Sequence, residues 1–323
     1  MLRRITSIHD LRGSRVLVFG AGGGGDALGA IHLYLKLKRI GAEPYLGSVV
    51  WERRAVDPIP GPISLDEMRN IEPLAPTLAW VTGESYALRG GKRLVPQVAK
   101  AAKVLGARTL FIDVTRGAEG AKDALRAAVE ILGLQAVIGV DVGGDMLAKG
   151  YEEGLQSPLA DAVSLYALIN SGAEIRLIEI LGPGSDGEIE KHVVLERIAE
   201  AARYGGLVEV TGLTREEYEA MVRWRGEFYS EASVMPLRAF SGETGEVLIR
   251  GGARRVHLDP VNAAAYIIEA EAASKVNKLY PLVEGTRSIW EARDRLNRAG
   301  VKTELDIEEE AAGSEGRPGQ VHA

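Results

Sequence analysis

Glycine and aspartate cluster at three points of this sequence, and each cluster could hold an anion or a cation. Residues 20–26 read Gly-Ala-Gly-Gly-Gly-Gly-Asp. Glycine accepts positive φ and lets a ligand come close to the backbone. A helix beginning there would aim free N–H groups, and the positive end of its dipole, into the same space. Gly20, Gly22, Gly23, Gly24 and Gly25 are therefore candidate binders of phosphate or carboxylate. A tight turn explains one or two glycines, and five ask for more. Asp26 follows at once and would repel a bare pyrophosphate. It reads as a metal ligand, as a partner for a ligand hydroxyl or amine, or as a helix N-cap.

The second cluster is Gly-Val-Asp-Val-Gly-Gly-Asp at 139–145. It sets Asp141 and Asp145 around Gly143 and Gly144. The run Gly-Gly-Asp-Ala-Leu at 24–28 is echoed by Gly-Gly-Asp-Met-Leu at 143–147. If the two loops meet across a crevice, Asp26, Asp141 and Asp145 could share a divalent cation. Such oxygen ligands suit Mg²⁺, which often bridges to substrate phosphate. Without a cation the carboxylates would raise one another's pKa, and one could serve as acid or base. Ordinary capping is the competing explanation.

The third cluster, Gly-Pro-Gly-Ser-Asp-Gly-Glu at 182–188, offers Ser185 and Asp186 as a second anion loop or a mobile turn. Asp113, Thr115 and Arg116 sit together in Asp-Val-Thr-Arg. A guanidinium there could clamp a phosphate. Ser157-Pro158 reads as a helix start, with Ser157 as cap and Pro158 in the first turn. Asp161 would favour that helix dipole, or join the ligand set. His192 is isolated, and Tyr229-Ser-Glu-Ala-Ser233 could rim a site.

The elements that must position these residues alternate. Strands are expected at 15–20, 44–51, 78–82, 109–114, 136–142 and 174–181, and helices at 27–39, 95–105, 121–132, 158–170 and 191–204. Strands separated by helices of this length imply right-handed βαβ units and a parallel sheet. The expected class is α/β, Rossmann-like, mostly parallel, with helices on both faces. Ligands then sit at the carboxyl ends of the strands, where all three clusters fall. Residues 55–76 hold five prolines and read as an extended loop with room for one short helix, a lid or a partner surface. Beyond 205 the rhythm weakens. A helix at 215–228 opens on Thr214 with Glu217 as a capping box. A hairpin at 246–258 and helices at 262–277 and 288–299 follow. The expected organisation is one elaborated domain over 1–307, with a core at 14–205, an elaboration at 206–307 and a disordered tail at 308–323.

Composition narrows the function classes. The 323 residues carry a formal charge of −6 and no cysteine. That removes disulfides and thiolate chemistry and argues against a nucleic-acid groove. Five scattered histidines make no metal pair. With no long apolar run, neither a membrane span nor a signal peptide is expected, and the location reads as cytoplasmic. Abundant Arg and Glu lean towards a thermophile.

With the glycine loop, Gly-Val-Asp-Val-Gly-Gly-Asp and Ser-Pro-Leu-Ala-Asp in hand, the chain resembles an uncharacterised family, frequent in archaea, with a domain of unknown function. The resemblance spans roughly residues 10–300 and implies a Rossmann-like fold without an established reaction. The central motif is also similar to the phosphate hairpin of sugar kinases. There a threonine usually stands at the position of Asp145, and the hairpin opens the chain, so both departures argue against that activity.

The leading expectation is an enzyme acting on a phosphorylated or nucleotide-like small molecule, with Mg²⁺ and phosphoryl-transfer, hydrolytic or lyase chemistry. An NAD(P)-dependent oxidoreductase is the alternative, using Gly20, Gly22, Gly25 and Glu52 for the dinucleotide, with Arg53 and Arg54 near a 2′-phosphate. A methyl-donor-binding enzyme and a non-catalytic metabolite-binding protein are further alternatives. Homo-oligomerisation is left open.

Overall fold

The computed structural model describes residues 4–315. Its strands are β1 (Arg15–Gly20), β2 (Glu43–Val49), β3 (Met68–Ala75), β4 (Leu78–Arg89), β5 (Lys92–Leu94), β6 (Thr109–Ile112), β7 (Ala136–Val142), β8 (Ile175–Leu181), β9 (Leu207–Gly212), β10 (Gly245–Ile249), β11 (Arg254–Leu258) and β12 (Ala264–Glu269). The helices are α1 (Asp26–Arg39), α2 (Gln97–Leu105), α3 (Gly117–Leu132), α4 (Pro158–Ile169), α5 (Lys191–Arg203), α6 (Arg215–Trp224), α7 (Met235–Phe240), α8 (Ala270–Val276), α9 (Ile289–Arg298) and α10 (Glu304–Glu315).

Among the described residues, one sheet runs β3-β4-β6-β2-β1-β7-β8-β12-β9, with β5 paired to β4. The five central strands, β6-β2-β1-β7-β8, are parallel. The flanking strands are antiparallel. The expected class is therefore present: α/β, mostly parallel at its centre. Strand β1 shows why both faces are covered. Its alternate residues Leu17 and Phe19 pack with α3 and α4, whereas Val16 and Val18 pack under α1. The chain leaves β1 towards β2 and β6, then crosses back to β7 and β8. Strand order thus reverses between β1 and β7, where open α/β sheets place their ligands.

Three expectations need correction. In place of a single helix at 262–277, the chain forms β12 and then α8. Ala265 and Ile267 are buried beside Leu181 and Glu179 of β8, so a strand hides their apolar groups better than a lone helix would. The proline-rich stretch 55–76 includes β3, an edge strand where proline costs no central ladder bond. The expected tail at 308–323 is helical as far as Glu315 within α10, and the remainder lies outside the described residues. Two glutamates anchor that helix. Glu304 accepts from the N–H groups of Leu159 and Ala160 at 3.0 and 2.7 Å, and Glu308 accepts from Trp51 and Gly61 at 3.0 and 2.9 Å. The capping box of Thr214 and Glu217 and the β10–β11 hairpin form as expected.

The prolines at 58–62 are tied down rather than free. Arg89, at the end of β4, donates to the carbonyls of Ile59, Pro60, Gly61 and Pro62 at 2.7–3.1 Å. It also pairs with Asp57 at 2.5 Å and Glu67 at 2.9 Å. Removing the guanidinium leaves Asp57 buried and unpaired. Arg89→Met is expected to cost about 3–5 kcal/mol in denaturant unfolding. A cost below about 1 kcal/mol would show that the strap holds itself.

Candidate metal centre

At the switch point, six carboxylates gather from four segments. Asp26 opens α1, and Asp141 lies in β7. Asp145 opens a short 3-10 turn, Asp145–Leu147, and Asp161 sits in the first turn of α4. Asp186 and Glu188 follow β8. All six are buried. Oxygens of Asp141, Asp145 and Asp161 lie within 4.8 Å of one another, as do oxygens of Asp145, Asp186 and Glu188.

The two glycine loops make room for these carboxylates. A Cβ on Gly22 would lie 2.8 Å from an Asp26 oxygen and 3.2 Å from both Asp161 oxygens. One on Gly143, whose φ is +125°, would stand 2.3 Å from the Asp186 carboxyl carbon. Carboxylates thus fill the space over Gly22 and Gly143. The N–H groups of Asp26 and Ala27 turn back to Gly23 and Gly24 carbonyls at 3.1 and 3.2 Å, and the Gly22 N–H donates to Asp26 at 2.8 Å. The sequence echo does not extend to the turn itself, since one copy opens an α-helix and the other a 3-10 turn.

The first N–H groups of a helix ordinarily go to the side chain of its cap residue. Here Glu304 takes the N–H groups of Leu159 and Ala160. Ser157, expected to cap, donates instead to Glu188 and, at 3.3 Å, to Asp145. Among the described residues, neither Asp161 oxygen has a hydrogen-bond partner, and the side chain is 1% exposed. One oxygen of Asp186 is equally unpartnered. Asp141 accepts from the N–H groups of Met146 and Gly144 at 2.9 and 3.3 Å, which fixes its orientation.

Burial, compounded by neighbouring carboxylates, pushes the cluster's pKa values up. Burial and then Asp141 raise Asp26, burial and then Asp161 raise Asp145, and burial and then Asp141 raise Asp161, each well above the ordinary range. Burial lifts Asp141 to about 6, and burial followed by Glu188 lifts Asp186 to about 8. Glu188 goes the other way. Burial alone would raise it, but Arg254, Arg53 and the Ser157 hydroxyl outweigh burial. Arg254 meets it at 2.8 Å.

Beside the cluster opens a cavity of about 350 Å³, lined by Arg53, Arg250 and Arg254 together with Ser157, Tyr229 and Glu304. Arg250 adopts φ +56°, a conformation a non-glycine residue holds at a cost. Its Nε has no hydrogen-bond partner. Burial, then repulsion from Arg53 and Arg254, lowers its pKa to about 10.

Other sequence candidates are placed elsewhere. Asp113 accepts from Leu65 and Thr115 N–H groups, both at 2.8 Å, and from the Thr115 hydroxyl at 2.5 Å. It holds a loop. Arg116 is exposed and makes no hydrogen bond or ion pair with the cluster among the described residues. Ser185 is buried and accepts from Asn262 at 3.1 Å. His192 is on the surface, paired with Glu190. Glu52, the ribose candidate, is 2% exposed and accepts from the Gln97 N–H at 2.7 Å, at the start of α2. Sequence reasoning missed Glu188, Glu304, Arg250 and Arg254 as site residues. For Glu188 the signal was its spacing two residues from Asp186. For Arg250 and Arg254 it was the basic turn of the hairpin.

A Rossmann-like strand order with an acidic crevice at its switch point defines the class. Within that class the chain belongs to the DUF1152 family of proteins of unknown function, whose pattern matches residues 17–312. No curated protein matches the sequence. Among the described residues, no helix is long and apolar enough to cross a membrane.

Proposed function

We propose that this protein is a divalent-cation-dependent enzyme that hydrolyses or transfers a phosphoryl group of a small phosphorylated metabolite. The observation that carries the reading is Asp161: a carboxylate with two buried, unpartnered oxygens beside Asp141 and Asp145. Hard oxygen donors in this number suit Mg²⁺ or Mn²⁺. Such an ion lowers the pKa of bound water and neutralises charge on a phosphoryl oxygen. Arg53, Arg250 and Arg254 line the adjoining cavity, where guanidiniums bind phosphate in bidentate fashion. Asp26 lies outside both ligand triads, and its upward-shifted pKa suits proton transfer.

The test begins with chelator-stripped protein. Mn²⁺ and Mg²⁺ are expected to raise its melting temperature by several degrees, and phosphate release from a panel of phosphate monoesters and nucleotides should depend on the ion. No stabilisation by any divalent cation, together with no phosphate release, would sink the proposal.

Arg250 supplies a second test. Arg250→Gly removes a phosphate-binding group and also relieves the positive φ. KM for an accepted phosphate ester is expected to rise about tenfold or more, while folding stability rises by about 1 kcal/mol. Unchanged KM would remove Arg250 from the substrate site.

A further inference from the structure

Asp145 belongs to both carboxylate groups: one with Asp141 and Asp161, the other with Asp186 and Glu188. Building on the cation-dependent activity above, we infer that the crevice holds two divalent cations bridged by Asp145. Each group has its own free donor. Asp161 offers two unpartnered oxygens to the first, and Asp186, 3% exposed, offers one to the second. The two groups are also held by different elements. Asp141 and Asp161 are set by β7 and α4, while Asp186 and Glu188 come from the loop after β8. A single ion would satisfy one group and leave the other's free oxygen buried, which is costly.

Charge points the same way. The crevice gathers six carboxylates, Asp26, Asp141, Asp145, Asp161, Asp186 and Glu188. These carboxylates outnumber Arg53, Arg250 and Arg254, the guanidiniums that act on Glu188, and divalent cations would offset the excess. Two ions sharing one carboxylate sit about 3.5–4 Å apart and clamp both the attacking and the leaving oxygen of an in-line displacement. The centre is thus built for hydrolysis or transfer at phosphorus, with a solvent oxygen or an acceptor hydroxyl entering opposite the leaving group.

Stripped full-length protein titrated with Mn²⁺ decides the matter, by calorimetry and electron paramagnetic resonance. Two Mn²⁺ per chain are expected, with a spin-coupled spectrum. Asp186→Asn should bind one Mn²⁺ with an uncoupled six-line spectrum, and Asp145→Asn should lose coupling and weaken both sites at least about 100-fold. One uncoupled Mn²⁺ in the native chain overturns the two-ion centre and leaves the proposed function standing. No bound Mn²⁺ overturns both. The native stoichiometry and spectrum decide the question even where a variant does not fold.

Discussion

Asp161→Asn is expected to make the metal-free protein more stable and the enzyme nearly inactive. The side chain is buried among carboxylates that push its pKa well up, burial first and Asp141 next. Its oxygens receive no hydrogen bond, so no stabilising contact is lost with the charge. The amide that replaces it can donate to the oxygens of Asp141 and Asp145, which lie within 4.8 Å. A repulsive neighbour becomes a donor. The melting temperature of the stripped protein should rise by several degrees, roughly 1–3 kcal/mol. The rise on adding Mn²⁺ should shrink or vanish, and cation-dependent phosphate release should fall at least about 100-fold. Asp113→Asn is the contrast. Asp113 accepts three hydrogen bonds, so its loss should lower stability by about 1–2 kcal/mol and leave the Mn²⁺ response intact. If Asp161→Asn instead destabilises the stripped protein and keeps its cation response, Asp161 is structural and the centre is misassigned.

That contrast also shows what the sequence could reveal. Asp113 and Asp161 look alike in the chain, each an aspartate near a strand end or helix start. What separates them is whether backbone N–H groups reach the carboxylate. At the start of α4 those groups go to Glu304, 145 residues from Leu159, and no local pattern announces it. The central strands were legible because β7 and β1 are continuous apolar runs ending beside glycine, and the structure gives both the bounds their apolar runs imply. Strand β12 was not. Its Ala-Ala-Tyr-Ile-Ile-Glu reads equally as helix, and only pairing between β8 and β9 decides it. The glycine loop was legible as a place of close approach but not as to what approaches. Glycine records a missing side chain and says nothing about the sign of the group that fills the space, which over Gly22 and Gly143 is a carboxylate.

The same buried acids give the metal-free protein an inverted pH profile. Most buried carboxylates that anchor a fold have depressed pKa values and lose stability in acid. Here the shifts run upward. Burial lifts Glu52 and Glu304 to about 7, Asp141 to about 6 and Asp186 to about 8. A carboxyl whose folded pKa lies above its unfolded value binds its proton more tightly when folded. Its contribution is complete below the unfolded pKa and is lost as pH climbs through the folded one. Each unit of upward shift is worth about 1.4 kcal/mol. The melting temperature of stripped protein is therefore expected to fall by at least about 10 °C between about pH 5 and about pH 9. Saturating Mn²⁺ should flatten this decline without abolishing it, because the ion stabilises ionised Asp141 and Asp186 but makes no contact with Glu52. Glu304→Gln should remove a further part of the slope while Mn²⁺ still binds, since the amide oxygen of the new side chain can accept from one of the two α4 N–H groups without carrying charge. A melting temperature that rises with pH over this range would mean that the carboxylates are ionised and compensated in the metal-free protein. The crevice would then be a salt-bridged anchor and not a cation site.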